Sequence, residues 1–220
     1  MKAQLLIFDL DGTLVDSRAD IAAATNRMRA MHGLEALPLE EVEEMVGDGI
    51  RALAVRALGG AAVDPDLGAE QIGEAYAEHL VERTRPYDGV DEGLRALALA
   101  GHALALATNK PGVLARGVLE HFGWTGLFRT VLGGGDLPEL KPSPLPLRVA
   151  MERCGHGAES TWMVGDHHTD LEAARRAGVR SVFLENGIGH EGEEKADARF
   201  AGFREFAGHF LGRPRGGGPE

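Results

Sequence analysis

Phe8-Asp9-Leu10-Asp11-Gly12-Thr13-Leu14-Val15-Asp16-Ser17 is the stretch on which the reading of this chain turns. The residues that lead into it, Leu5, Leu6, Ile7 and Phe8, form an unbroken apolar run of strand length, and the run stops at Asp9. A short apolar run closed by Asp-x-Asp-Gly reads as a buried strand that empties into a polar loop. In an extended segment residues i and i+2 point the same way, so Asp9 and Asp11 can address one ligand.

The same grammar recurs along the chain. Ala103–Ala107 ends at Thr108-Asn109-Lys110, and Thr130–Leu132 ends at Gly133-Gly134-Gly135-Asp136. Thr161–Val164 ends at Gly165-Asp166, and Ser181–Leu184 at Glu185-Asn186-Gly187. Helical patterns separate these runs. Residues 92–100 carry Leu94, Leu97 and Ala98 on one face. Residues 111–122 open with Pro111 as a first helical residue and carry Val113, Leu114, Val118 and Leu119. Residues 144–154 open with Pro144 behind Ser143, an N-cap, and 169–177 stop before Gly178. Alternating buried strands and amphipathic helices predict an α/β fold, a Rossmann-like parallel sheet covered on both faces.

Residues 16–85 break the rhythm. They show helical stripes and no strand: Ile21, Ala24, Thr25, Met28 and Met31; Leu39, Val42, Met45 and Val46; Ile50, Leu53, Ala54, Ala57 and Leu58; Ile72, Tyr76, His79 and Leu80. They are expected to form an all-helical cap inserted into a core made of 1–15 and 86–212, with linkers at Val15–Ser17 and Arg83–Gly89. Met28, Met31 and Met45 should pack inside the cap. Phe200, Phe203, Phe206 and Phe210 have the spacing of a helix that docks on the core, and 213–220 reads as a disordered tail.

Composition narrows the function. The chain has 220 residues, 44% hydrophobic and 26% charged, which is ordinary globular usage. Its 34 acidic and 23 basic residues give a formal charge of −11, which argues against nucleic-acid and anionic-membrane partners. An anionic substrate would need positive charge built into its site. The single cysteine, Cys154, permits no intrachain disulfide and no cysteine-based zinc site, and reads as a small core residue in a cytoplasmic protein. The Leu5–Phe8 run is too short for a signal peptide or a membrane span.

The polar groups cluster just past the C-terminal ends of the apolar runs, the edge of an open α/β sheet where ligands bind. Asp9, Asp11, Thr108, Asn109, Lys141, Asp166 and Asp170 would meet there. Carboxylates gathered so closely repel unless a cation sits among them, and hard oxygen ligands suit Mg²⁺. A phosphoryl group would bridge the metal and Lys141. Asp9, ionised at neutral pH, can attack phosphorus, and Asp11 can protonate the leaving oxygen and then deprotonate water.

Phe8–Ser17 resembles the first motif of the haloacid dehalogenase-like hydrolase superfamily. Thr108-Asn109-Lys110-Pro111 resembles the second, Lys141-Pro142 the third and Gly165-Asp166-His167-His168-Thr169-Asp170 the fourth. Val46–Arg51, Tyr87–Val90, Gly134–Asp136 and Lys141–Pro144 are similar to the corresponding segments of phosphoglycolate phosphatases. The resemblance implies Asp9 as nucleophile, Asp11 as general acid/base, Thr108 and Asn109 on the phosphoryl oxygens, and Lys141 on Asp9 and the transferred group. It implies Mg²⁺ on Asp9, Asp166 and the carbonyl of Asp11, with Asp170 in or near that shell, and Gly12 as the point of close approach to phosphate. Arg51, at a helix start, would take a distal carboxylate, and Asp136 would shape the loop before Lys141.

The implied activity is hydrolysis of a small-metabolite phosphomonoester, 2-phosphoglycolate first, by a monomer or homodimer. Alternatives are a sugar phosphate, pyrophosphate, a phosphomutase, or a non-catalytic binding protein on the same fold. Ile21 stands where mutase relatives carry a histidine, and the presence of Asp11 argues against dehalogenation. His167 stands where relatives have a small residue. Neighbouring carboxylates should favour the charged form of His167 and His168, as ligands or as loop residues.

Overall fold

The computed structural model describes residues 3–213. The chain begins with β1 (Leu5–Phe8) and β2 (Val15–Asp16), then runs through α1 (Arg18–Met31), α2 (Leu39–Glu43), α3 (Ile50–Leu58) and α4 (Pro65–Glu78). It returns by β3 (Arg85–Pro86) to α5 (Val90–Leu99), β4 (Ala103–Pro111), α6 (Gly112–His121), β5 (Thr130–Gly134) and α7 (Leu145–Cys154). It closes with β6 (Thr161–Gly165), α8 (His168–Ala177), β7 (Arg180–Leu184), β8 (Ala198–Phe200) and α9 (Phe203–Phe210). The main sheet is parallel, in the order β5-β4-β1-β6-β7-β8.

The pleat explains the two layers. Leu6 and Phe8 face a cluster with Leu94, Val118, Trp124 and Phe206, whereas Leu5 and Ile7 face one with Leu147, Ala150 and Met163. Both faces of β1 are buried, so the strand must be apolar throughout rather than alternating. α9 docks as expected: the rings of Phe203 and Phe206 each lie 5.8 Å from that of Phe8. Cys154 is free and buried in the second cluster. A third cluster, with Met28, Val42, Ala54, Ile72 and Tyr76, fills the interior of α1–α4 and reaches the core through Leu114 of α6.

Several expectations need correction. Residues 16–85 do contain strand: Asp16 pairs with Arg85 and Val15 with Pro86 in an antiparallel ribbon where the chain enters and leaves the helical insertion. The side chain of Asp20 accepts hydrogen bonds from the backbone of Arg83 and Thr84 and from the Thr84 hydroxyl, tying α1 to the returning strand. β4 runs on past Ala107 to Pro111, so Pro111 precedes the helix instead of opening it. Phe200 lies on β8, not on the terminal helix. Met31, on the last residue of α1, is 61% exposed. The tail expectation beyond Arg213 lies outside the described residues. Among the described residues no helix is long and apolar enough to cross a membrane.

Candidate active site

The loop after β1 is wound tightly. Leu10 O accepts the N–H groups of Thr13, Leu14 and Val15 at 2.9–3.3 Å. Gly12 makes this possible at φ +88°, and a Cβ there would stand 2.1 Å from Asp166 Oδ2. Only glycine serves both the left-handed turn and the close approach. The approach lets Thr13 Oγ1 donate to Asp166 Oδ1 at 2.6 Å, while Asp166 Oδ2 accepts from the N–H groups of Ile188 and Gly189, each at 2.9 Å.

Lys141 ties the centre together. Its Nζ is 2.8 Å from Asp9 Oδ1 and 2.6 Å from Asp170 Oδ1, and its side chain is 2% exposed. Burial works against its charge, but Asp170 and Asp9 outweigh burial and raise its pKa. Asp170 is itself wholly buried, and its other oxygen accepts from His167 N at 3.2 Å. Both of its oxygens are therefore engaged by the protein, which makes it an anchor for Lys141. Thr108 is buried beside Asp9 and lines the cavity above it.

Oxygens of Asp9, Asp166 and Asp170 lie within 4.8 Å of one another. Burial, then Asp170 and Asp9, push Asp166 up to about 7. Asp9 is raised too, by burial above all, with Lys141 opposing. Crowding that forces carboxyl groups toward their neutral form is relieved by a cation, and an all-oxygen donor set suits a hard divalent ion. The residues thus fit Mg²⁺, which the oxygens of Asp9 and Asp166 could hold. Because the folded-state value of Asp166 exceeds its ordinary 3.8, its contribution to stability is present below that value and is lost as pH rises through about 7. Mg²⁺ bound there would compete with that proton, so the rise in Tm on adding Mg²⁺ should be larger at pH 8 than at pH 5.5. Equal rises in a thermal melt would contradict this.

Two side chains behave differently from expectation. Asn109 lines the cavity, but its amide is taken up by backbone groups. Its Oδ1 accepts from Lys141 N (2.9 Å), and its Nδ2 donates to Lys141 O (2.8 Å) and to Gly47 O in the helical insertion (2.9 Å). It fixes the backbone of Lys141 and latches the cap. Arg51 lies at the start of α3, 64% exposed, with Nε 2.5 Å from Asp66 Oδ1, and it is absent from the cavity lining. The α3–α4 packing turns it to solvent. Asp136 shapes its loop as expected, accepting from Gly133 N at 2.9 Å and pairing with Arg116.

Lys110 is the residue that motif reading missed. Its Nζ lies 3.0 and 3.1 Å from the two oxygens of Asp11 and 4.0 Å from the centre of the Tyr76 ring. Burial opposes its charge, but Asp11 and then Tyr76 more than offset that and its pKa is raised. Asp11 also accepts from Ser17 Oγ at 2.6 Å. A basic residue at the end of a strand looks solvated until the cap is seen to close over it. Asp9, Asp11, Thr108, Asn109 and Lys110 form the polar floor of a small cavity roofed by Ile21, Val46, Ile50, Leu53 and Ile72. His167 is buried and caps α8. Burial foremost, with the positive field of His168, holds its pKa down at about 4, the opposite of the expected charging.

The profile of the family described as haloacid dehalogenase-like hydrolase matches residues 6–184. The chain belongs to that family. It is 43% identical over 192 residues to a phosphoglycolate phosphatase of Neisseria gonorrhoeae, covering 84% of this chain and 81% of the relative. It is 31% identical over 198 residues to an N-acetylmuramic acid 6-phosphate phosphatase of Pseudomonas aeruginosa, covering 89% and 88%. The crystal structure of a predicted phosphoglycolate phosphatase from Haemophilus somnus superposes with a TM-score of 0.87 at 32% identity, over 94% of this chain and 97% of that one. Within the family, this is a phosphoric monoester hydrolase.

Proposed function

We propose that the protein hydrolyses a small phosphomonoester, 2-phosphoglycolate foremost, through a phosphoryl group carried on Asp9, with Mg²⁺ as cofactor. The observation that carries the reading is the Lys141 ammonium lodged between Asp9 and Asp170 while Asp166 stands alongside. Asp9 attacks phosphorus and the ester oxygen leaves. Asp11 gives that oxygen a proton, then takes one from the water that attacks the phosphorylated Asp9. Lys141 and the Thr108 hydroxyl balance the negative charge of the transferred oxygens. Asp9, Asp166 and the carbonyl of Asp11 would hold Mg²⁺, which would supply positive charge against the phosphoryl oxygens.

The cavity favours a small acid. Its aliphatic roof offers few partners to the hydroxyls of a sugar, and an unpaired buried hydroxyl is costly. Ile21 lines it where a proton-handling residue of a mutase would stand. Lys110 takes the role first given to Arg51. A substrate carboxylate would draw the Lys110 ammonium from Asp11 and leave Asp11 free to hold a proton. Lys110→Met should then raise KM for 2-phosphoglycolate by about 10–100-fold, the worth of a hydrogen bond between charged groups. KM for p-nitrophenyl phosphate, which lacks the carboxylate, should move less than about threefold on the same scale. Equal effects on both substrates in steady-state assays would reject the assignment.

A further inference from the structure

Beside the carboxylate centre, three imidazoles converge that the hydrolytic reaction does not use. His167 and His168 come from the start of α8, and His190 comes from the loop that follows β7. One ring nitrogen of each lies within 4.8 Å of the other two. The ring centroids are 4.1 Å apart for His167 and His168, 5.3 Å for His167 and His190, and 5.2 Å for His168 and His190. Three imidazoles bound tetrahedrally to one ion, at ~2.0–2.1 Å from nitrogen to metal, place their centroids about 5 Å apart. The planes of His168 and His190 are inclined by only 26°, so the rings must turn for their nitrogens to meet on one ion.

The surroundings are built to hold these rings. His168 N donates to His190 O at 2.7 Å, which fixes the two backbones side by side. His167 Nδ1 accepts from Thr169 N at 3.4 Å and lies 3.0 Å from Thr169 Oγ1; to take an ion on its other nitrogen the ring must carry its proton on Nδ1 and donate it to that hydroxyl. Such a partner on the far nitrogen is what orients a metal-binding histidine. A Cβ at Gly47 or at Gly189 would lie 2.7 or 2.8 Å from the His167 ring, so both neighbouring loops leave just the room that the ring needs. His190 is exposed and His168 partly so, which gives an ion a way in.

We propose that His167, His168 and His190 form a second cation site, suited to a borderline-soft divalent ion of the zinc class and separate from the all-oxygen centre. Imidazole nitrogens favour Zn²⁺ and its transition-metal neighbours, whereas carboxylates favour Mg²⁺, so the two sites sort ions by chemistry. Three protein ligands leave a fourth position for water. The His190 loop also supplies the N–H groups that hold Asp166. An ion on the triad would therefore brace the loop that supports the reaction centre.

The test is zinc binding by the full chain in saturating Mg²⁺, read by competition with a chromophoric chelator and by thermal melting. One Zn²⁺ per chain is expected, with a rise in Tm. His190→Gln and His168→Gln should each weaken zinc at least ~10-fold, the lower end of what even an outer partner of a metal site is worth. His190→Gln should keep Mg²⁺-dependent hydrolysis, and Asp9→Asn should keep the zinc. No zinc uptake in Mg²⁺, unchanged affinity in both histidine variants, or loss of zinc in Asp9→Asn would each overturn the proposal. Hydrolysis can fail while zinc still binds, so this outcome stands apart from the proposed reaction.

Discussion

Asp9→Asn should leave below ~1% of wild-type kcat, because an amide cannot accept the phosphoryl group and the remaining charges act only through the intermediate it would form. The fold should survive. Asparagine is isosteric, Lys141 keeps its 2.6 Å contact with Asp170, and one of three crowded carboxylates is gone. The urea midpoint should stay level or rise. Residual kcat well above that floor would place the nucleophile elsewhere.

Lys141→Met should be the most damaging change to stability in the site. Removing one partner of a buried ion pair costs about 3–5 kcal/mol, because the other is left charged and unsolvated. Here two carboxylates are stranded, and the backbone of Lys141, held by Asn109, has no freedom to move away from them. On the proposed mechanism turnover should fall by roughly 10³-fold or more, since the ammonium would face the charge that develops on the transferred group. The deficit in stability should shrink as pH falls, because Asp9, raised by burial, loses its stranded charge when it takes up a proton. Urea titrations at pH 5 and pH 8 check both statements. A loss under ~1 kcal/mol at pH 8 would mean that the pair is better solvated than its burial indicates.

Much of this was legible before any coordinates. Asp9, Asp166, Lys141 and Asp170 converge because each follows a buried strand or the loop beyond one, and a parallel sheet delivers all such ends to one edge. Order along the chain says less about which way a side chain turns. Asn109 and Lys110 are adjacent, yet the amide faces the protein backbone and the amine faces the cavity, an outcome set by where Gly47 and Tyr76 of the cap come to rest. Arg51 was misplaced for the same reason, since α3 and α4 must pack before its direction is known. The ribbon of Val15–Asp16 with Arg85–Pro86 is too short to carry a period. Phe200 shares the spacing of the α9 stripe but lies before the turn at Gly202. His190 is far from His168 in the sequence and no local pattern links them, whereas the sheet brings β6 and β7 side by side.

The central claim is that Asp9 carries the phosphoryl group. Rapid quenching during turnover, reduction with borohydride and peptide mapping test it directly, since reduction converts an aspartyl-phosphate to homoserine. Homoserine at position 9, dependent on substrate, is the predicted result. Homoserine at another carboxylate, or turnover with none at position 9, would contradict it.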